Sequence, residues 1–376
     1  MRQGLPLDPS LPLGPAIEVA GVVLVPPMGP EKPQPCGVFA DGQFLTQSLC
    51  YGGDAEHPIT VEPAFAGPVR HMAGRYLFGG VLSGHFGHML VEGSGRLWAL
   101  HGRTDVDGVV FFARPFDKAK HCAKLFSQMA ALLGLPPVTV LEEPVSVDHL
   151  VLAEQGLGSG ALMLGRPEAR AYLRDRLALV EPEGAARKFY VTRTGQPARR
   201  GTVLGEASLE ALFAAQGYEV IRPEEHLLAR QVAMFRGASH VVGTEGSPFH
   251  LLAMAAQTGC KVAVIQRRRS PVFKQICQHL EVFIGGAVLG LDQLDTIYAP
   301  KRIRNVNYVY LEPDRPAIWA ALSAAGFVGG DPWVNMTADE RRAELKRLRK
   351  ETTKTLRPVA VEDLPEDDGD QEKDAA

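Results

Sequence analysis

The stretch VVGTEGSPFHLLAMA, Val241 to Ala255, sets two β-branched valines against a Gly-Thr-Glu-Gly-Ser turn and an apolar run with helical spacing. It reads as strand, tight turn and helix, the unit from which parallel α/β sheets are built. In such sheets ligands bind outside the carboxyl ends of the strands, where loops lead into helix N-termini. Gly243 and Gly246 allow a tight turn and close backbone approach, Ser247 can cap, and Pro248 suits the first helical turn. A phosphate is the natural guest of that helix end. Glu245 beside it is electrostatically awkward. Either the carboxylate complements the helix dipole, or it hydrogen-bonds neutral groups such as sugar or ribose hydroxyls. Glu-Gly-Ser-Pro-Phe departs from the GxSxG nucleophile elbow, so Ser247 reads poorly as a hydrolase nucleophile.

The same rhythm runs outward from this stretch. Helix PEARAYLRDRLALV is followed by strand KFYVTR, helix EASLEALFAAQG, strand YEVIRP, helix EEHLLARQVAMFRG, strand SHVVGT, helix SPFHLLAMAAQTG, strand KVAVIQ, helix PVFKQICQHL and strand EVFIGGAV. Upstream, YLFGGVL, DGVVFFA and VTVLEE read as strands separated by helices HFGHMLVEGSGRLWALHG and KAKHCAKLFSQMAALLG. Strands separated by helix-length patterns predict parallel sheets covered on both faces. The expected organisation is an α/β domain over residues 1–155 with an irregular strand-rich start, and a nucleotide-binding domain over 156–330 beginning at the glycine-rich GLGSGALMLGR. A charged helix and a disordered acidic tail follow over 331–376.

Composition agrees with two ordinary domains: 376 residues, 45% hydrophobic and 22% charged, with a formal net charge of −3 and dispersed basic residues. That charge gives no field for nucleic acid or a membrane surface. The amino terminus lacks the form of a signal peptide, and no apolar run is long enough to span a bilayer. Five scattered cysteines without a CxxC pair fit a reducing cytoplasm.

A second candidate site lies in LSGHFGHMLVEGSGRLW. His85, His88 and Glu92 fall at i, i+3 and i+7, one face of a helix that follows strand YLFGGVL at its carboxyl end. His88 oriented by Glu92 suits a general base; the alternative is a pair of packed histidines. The same three residues also admit a rival, a metal-dependent hydrolase, although the spacing is not HExxH.

KFYVTR, PARRGTVLGEASLEALF and GYEVIRPEEHLLARQVAMFRGASHVVGTEGSPFHLLAMA together resemble glycosyltransferase family 61, the former DUF563 group. The carrying elements are Tyr190–Arg193, Arg199–Glu206, Arg230–Phe235 and Gly243–His250. The likeness covers roughly Lys188 to Gln266 well and the amino-terminal half loosely. Many members carry His-Gly where this chain has Glu245-Gly246, and Asn-Glu where it has Gly205-Glu206, a form that looks like a bacterial branch. The resemblance implies GT-B architecture, two facing Rossmann-like domains with parallel sheets. It also implies inverting transfer of a hexosyl or pentosyl group from a nucleotide sugar, most simply a UDP-sugar, to a saccharide acceptor in surface or capsular polysaccharide synthesis.

On this reading Arg193, Arg199, Arg200, Glu245, Gly246, Ser247 and His250 bind the donor, while His88 and Glu92 carry the acid–base chemistry. Arg199 and Arg200 read equally as solvated loop residues, and His250 as a packed one. The basic triplet Arg267–Arg269 follows strand KVAVIQ at its carboxyl end and reads first as an exposed loop, with contact to the diphosphate or to an anionic polymer as the alternative. No metal is expected, since arginines and a helix dipole can neutralise a diphosphate and no convincing Asp-x-Asp pair is present. Localisation is expected to be cytoplasmic, at most peripheral to the inner membrane. A third class is a sugar-nucleotide-binding protein that has lost the base.

Overall fold

The computed structural model describes residues 8–52, 57–65, 67–184, 187–303 and 308–364. Two compact units divide the chain, Met1–Glu181 and Pro182–Ala376. The acidic tail from residue 365 onward lies outside the described residues.

In the first unit the strands are β1 (Ile17–Val25), β2 (Gln34–Pro35), β3 (Gly37–Ala40), β4 (Gln43–Phe44), β5 (Thr60–Val61) and β6 (Arg70–Leu82). They are followed by α1 (Phe86–Gly93), β7 (Gly108–Ala113), α2 (Ala119–Leu133), β8 (Val138–Leu141), β9 (Val145–Leu152) and α3 (Pro167–Leu177). Seven strands form one sheet in the order β4-β3-β1-β9-β6-β7-β8, and β2 pairs with β5. The expected all-parallel sheet is corrected to a mixed one. The strands β9, β6, β7 and β8 run parallel, but β1 pairs antiparallel with both β9 and β3.

Both sheet faces are apolar and covered. Phe111 packs against Phe126 of α2 at 5.2 Å between ring centres. On the other face Phe78 and Phe112 join Cys36, Val38 and Cys50. Each such side chain contributes roughly 1.5–3 kcal/mol on burial. The segment 156–166 and α3 also lie in this unit, where Arg176 Nε donates to the Leu133 carbonyl at 2.6 Å.

The second unit opens with β10 (Arg187–Val191), β11 (Thr202–Val203), α4 (Glu206–Ala215), β12 (Glu219–Ile221), α5 (Leu228–Arg236), β13 (Ala238–Thr244) and α6 (Pro248–Ala255). It continues with β14 (Lys261–Ile265), α7 (Pro271–Ile284), β15 (Val288–Leu291), β16 (Leu294–Pro300), β17 (Tyr310–Pro313), α8 (Arg315–Ala324), α9 (Ala338–Thr352) and β18 (Leu356–Val359). Its main sheet is parallel throughout, ordered β12-β10-β13-β14-β15. Numbered from β10, that order is 2-1-3-4-5, a doubly wound arrangement whose switch point lies between β10 and β13.

Tyr190 stacks on Phe213 of α4 at 4.6 Å, with Ile318 and Trp319 of α8 in the same core. A second sheet, β11-β17-β16-β18, takes β11 from between β10 and β12 and its other strands from the chain after β15. Two expectations change here. The first half of the predicted strand EVFIGGAV is the end of α7, whose Phe283 and Ile284 are buried and which stops at Gly285 in the left-handed region, φ 74°; the strand β15 starts only at Val288. The charged helix is α9, with Leu348 as its buried residue, but the chain then returns as β18 to pair with β16. Among the described residues no helix is long and apolar enough to cross a membrane.

Candidate functional site

The turn after β13 is built around close approach. Neither Gly243 nor Gly246 has a positive φ. A Cβ on Gly243 would lie 2.4 Å from the Val191 carbonyl of neighbouring β10, and one on Gly246 would lie 2.8 Å from Arg193 Nη1. Pro248 occupies the first turn of α6, as its fixed φ favours. Ser247 takes helical angles and makes no side-chain cap, which corrects its reading as a cap. The amides of Phe249 and His250 bond back to the carbonyls of Gly246 and Ser247 at 3.1 and 3.0 Å. The helix therefore offers its positive end more than a row of free donors.

Residues that follow three adjacent strands meet at this switch point. Arg193 follows β10, Glu245 follows β13, and Arg267 and Arg268 follow β14. The Glu245 carboxylate is fully buried and accepts from Arg268 Nε at 2.8 Å and from the Arg267 amide at 3.4 Å. Arg267 Nε donates to the Glu245 carbonyl at 3.2 Å, and its Nη1 to the Arg200 carbonyl at 3.3 Å. Arg193 lies against Gly246, its Nε buried and, among the described residues, without a hydrogen-bond partner. Burial holds the Arg193 pKa below its ordinary value, with Glu206 opposing.

Glu206, the first residue of α4, is also buried. It accepts from the Arg193 amide at 3.0 Å, from Thr244 Oγ1 at 2.9 Å and from the Thr202 hydroxyl. Burial pushes its carboxyl up, and these donors only partly offset the shift. Three guanidiniums, Arg193, Arg267 and Arg268, thus share the site with two carboxylates, one of which is pushed toward the neutral form. The balance is positive.

The remaining predicted donor residues are spread around this cluster. Arg199 is exposed and Arg200 half-buried in a short 3-10 turn, Ala198–Arg200. His250 is buried in α6 with Nδ1 3.1 Å from Nδ1 of His279 in α7. Burial, and then the neighbouring His250, hold the His279 pKa well below its ordinary value.

The first unit carries a separate constellation at the ends of β6, β7 and β9. Helix α1 begins only at Phe86, so His85 sits at its cap in extended backbone, off the helical face the sequence predicts. Its ring is 5.4 Å from that of His88. His88 and Glu92 are one turn apart as expected, with His88 Nδ1 2.8 Å from Glu92 Oε1. Arg114, after β7, donates from Nη2 to Glu92 Oε2 at 2.6 Å. Ser159, after β9, donates its hydroxyl to Glu92 Oε1 and lies 2.9 Å from His88 Nδ1.

The Glu92 side chain is 5% exposed and that of His88 25% exposed. Burial would raise the Glu92 carboxyl, but Arg114, His88 and Ser159 outweigh it and bring the pKa to about 2. An ionised carboxylate can only accept, so Nδ1 of His88 is the donor toward Glu92, and in the neutral ring the lone pair falls on Nε2. That is the tautomer a general base needs.

The Glu92 shift fixes a pH dependence. Its carboxyl titrates lower folded than unfolded, so its contribution is complete above about pH 4.5 and is lost as the pH falls toward about 2. The shift corresponds to about 3 kcal/mol of stability. Thermal melts of the parent and of Glu92→Gln should differ most near neutral pH and converge on acidification. A gap that stays constant down to pH 3 would refute the assignment.

Arg114, Ser159, Glu206, Arg267 and Arg268 were not among the residues read from sequence as site members. The common signal is position, since all of them follow a strand at its carboxyl end, Glu206 after the short β11. Among the described residues no cluster of three or more His, Cys, Asp or Glu is placed to hold a metal ion, and this includes His85, His88 and Glu92. The rival hydrolase reading gains nothing from the geometry.

No curated protein matches this chain. Residues 86–263, which contain the His88 constellation and the switch-point residues Arg193, Glu206 and Glu245, match the model of the family Glycosyltransferase 61.

Proposed function

We propose that the protein is an inverting glycosyltransferase, moving a hexosyl or pentosyl group from a nucleotide sugar, a UDP-sugar foremost, to a saccharide acceptor. The observation that carries this reading is the His88–Glu92 pair, 2.8 Å apart within the span that matches Glycosyltransferase 61. His88 Nε2 takes the proton of an acceptor hydroxyl as that oxygen bonds to the anomeric carbon. The bond to the diphosphate breaks on the opposite face, and the nucleoside diphosphate leaves with the electron pair.

Charge developing on the leaving group is met in the second unit by Arg193, Arg267, Arg268 and the positive end of α6. Gly246 and Ser247 bring the backbone close, Glu245 fixes the arginines, His250 backs the helix from inside, and Arg199 and Arg200 extend the basic surface. These guanidiniums supply the positive charge that other transferases take from a divalent ion. The GT-B organisation, the role in bacterial surface or capsular polysaccharide synthesis and a cytoplasmic place at the inner membrane rest on the resemblance described above.

Calorimetric titration of UDP, GDP and CMP with EDTA present tests the donor half of this reading. One nucleotide is expected to bind, and Arg193→Ala to weaken it by at least about tenfold, the loss of one charge-assisted contact of about 1.4 kcal/mol or more. Binding of none of the three, or unchanged affinity in Arg193→Ala, would sink it.

A further inference from the structure

The turn after β7 breaks a local rule. The Asp117 amide donates to the Arg114 carbonyl at 3.0 Å, closing a four-residue turn with Pro115 second and Phe116 third. Phe116 has φ 73°. Proline second and a positive φ third define a type II turn, whose third position belongs to glycine or asparagine. A bulky aromatic residue there is strained, and such strain persists where the surroundings enforce it and collects at functional sites.

Packing does not account for the phenylalanine, because its side chain is 75% exposed. Among the described residues it has no aromatic partner. The turn itself is held firmly by hydrogen bonds to the His88 segment. The Arg114 amide donates to the Leu82 carbonyl at 2.8 Å and its guanidinium to Glu92. The Asp117 carboxylate accepts from the Gly84 amide at 2.7 Å. Phe116 is therefore mounted on a rigid turn whose two flanking residues grip the loop that positions the base.

We infer that Phe116 is the platform on which the acceptor saccharide stacks. This rests on the transferase reading of the His88 site. A pyranose presents an apolar face whose C–H hydrogens are weakly positive, which complements the negative face of an aromatic ring. A ring mounted on the turn that begins at Arg114, whose Nη2 lies 3.4 Å from His88 Nδ1, would hold the acceptor with one hydroxyl toward His88 Nε2, as proton abstraction demands. Glycine would relieve the turn and remove the platform, so stability and binding should move in opposite directions.

The test uses the full-length protein on an array of hexose and pentose oligosaccharides, comparing the parent with Phe116→Gly, Phe116→Ala and Phe116→Trp. The parent should bind at least one saccharide, Gly and Ala should weaken it by about tenfold or more, and Trp should retain it. Phe116→Gly should melt above the parent. Absence of saccharide binding by the parent, equal affinity in Phe116→Ala, or a lowered melting temperature in Phe116→Gly would overturn the inference. Phe116-dependent saccharide binding in a protein that binds no nucleoside diphosphate would leave the platform standing and remove the transferase reading.

Discussion

Replacing His88 with alanine is expected to lower kcat by about 10²- to 10⁴-fold, the range that a positioned general base contributes. The loss should appear in kcat and leave nucleotide affinity as in the parent, since every arginine assigned to the diphosphate belongs to the other unit. The side chain is a quarter exposed and spans one turn of α1 to reach Glu92, so its removal opens little core. A melting temperature close to the parent's would confirm that the fold survives. Should His88→Ala turn over donor at the parent rate, the base lies elsewhere. If the parent itself binds donor without turnover, the protein belongs to the binding class that has lost its chemistry.

The second large effect falls on stability. The Glu245 side chain is fully buried and that of Arg268 is 12% exposed, so the pair is largely removed from water. Breaking a buried ion pair by deleting one partner costs about 3–5 kcal/mol, because the remaining charge is left uncompensated. Glu245→Ala should therefore lower the melting temperature by about 10 °C for a unit of this size. Glu245→Gln, which keeps the shape and one acceptor, should fall between it and the parent.

The same variants separate two roles for this carboxylate. If Glu245 holds the arginines, Gln lowers stability and weakens free nucleotide and sugar conjugate alike. If it reads sugar hydroxyls, Gln spares stability and weakens the sugar conjugate alone. Parent-like melting of Glu245→Ala would contradict the buried pair.

Much of the second unit was legible because its strands are buried on both faces. KFYV, VVGT and KVAVI read as near-continuous apolar runs, and each proved to be a parallel strand. Their lateral order was not legible, since pairing joins residues distant in sequence. In the first unit VSVDHLVL, now β9, passed unread because Asp148 and His149 interrupt its apolar run. Yet Val145, Val147 and Leu150 are buried while Asp148 is exposed, the pattern of a strand with one polar edge. Gly285 was the missed stop signal that turned the end of α7 into an expected strand.

The pair His88 and Glu92 was legible from helical spacing, whereas Arg114 and Ser159 arrive from other strands. The arginine triplet was noticed but read as exposed. Arg269 is exposed, as read, but Arg267 is buried and Arg268 largely so against Glu245, a partner that the β13–β14 pairing brings near.

Glu206 carries a further consequence. Its single buried carboxylate gathers the Arg193 amide, the Thr202 hydroxyl and the Thr244 hydroxyl, groups from three separate segments, within the fold itself. The conformational entropy of aligning those segments is therefore lost once, during folding, and not again on each encounter. On the proposed donor reading, an anion bound beside Arg193 would meet a cradle already set, and its affinity would be spared the cost of ordering loops.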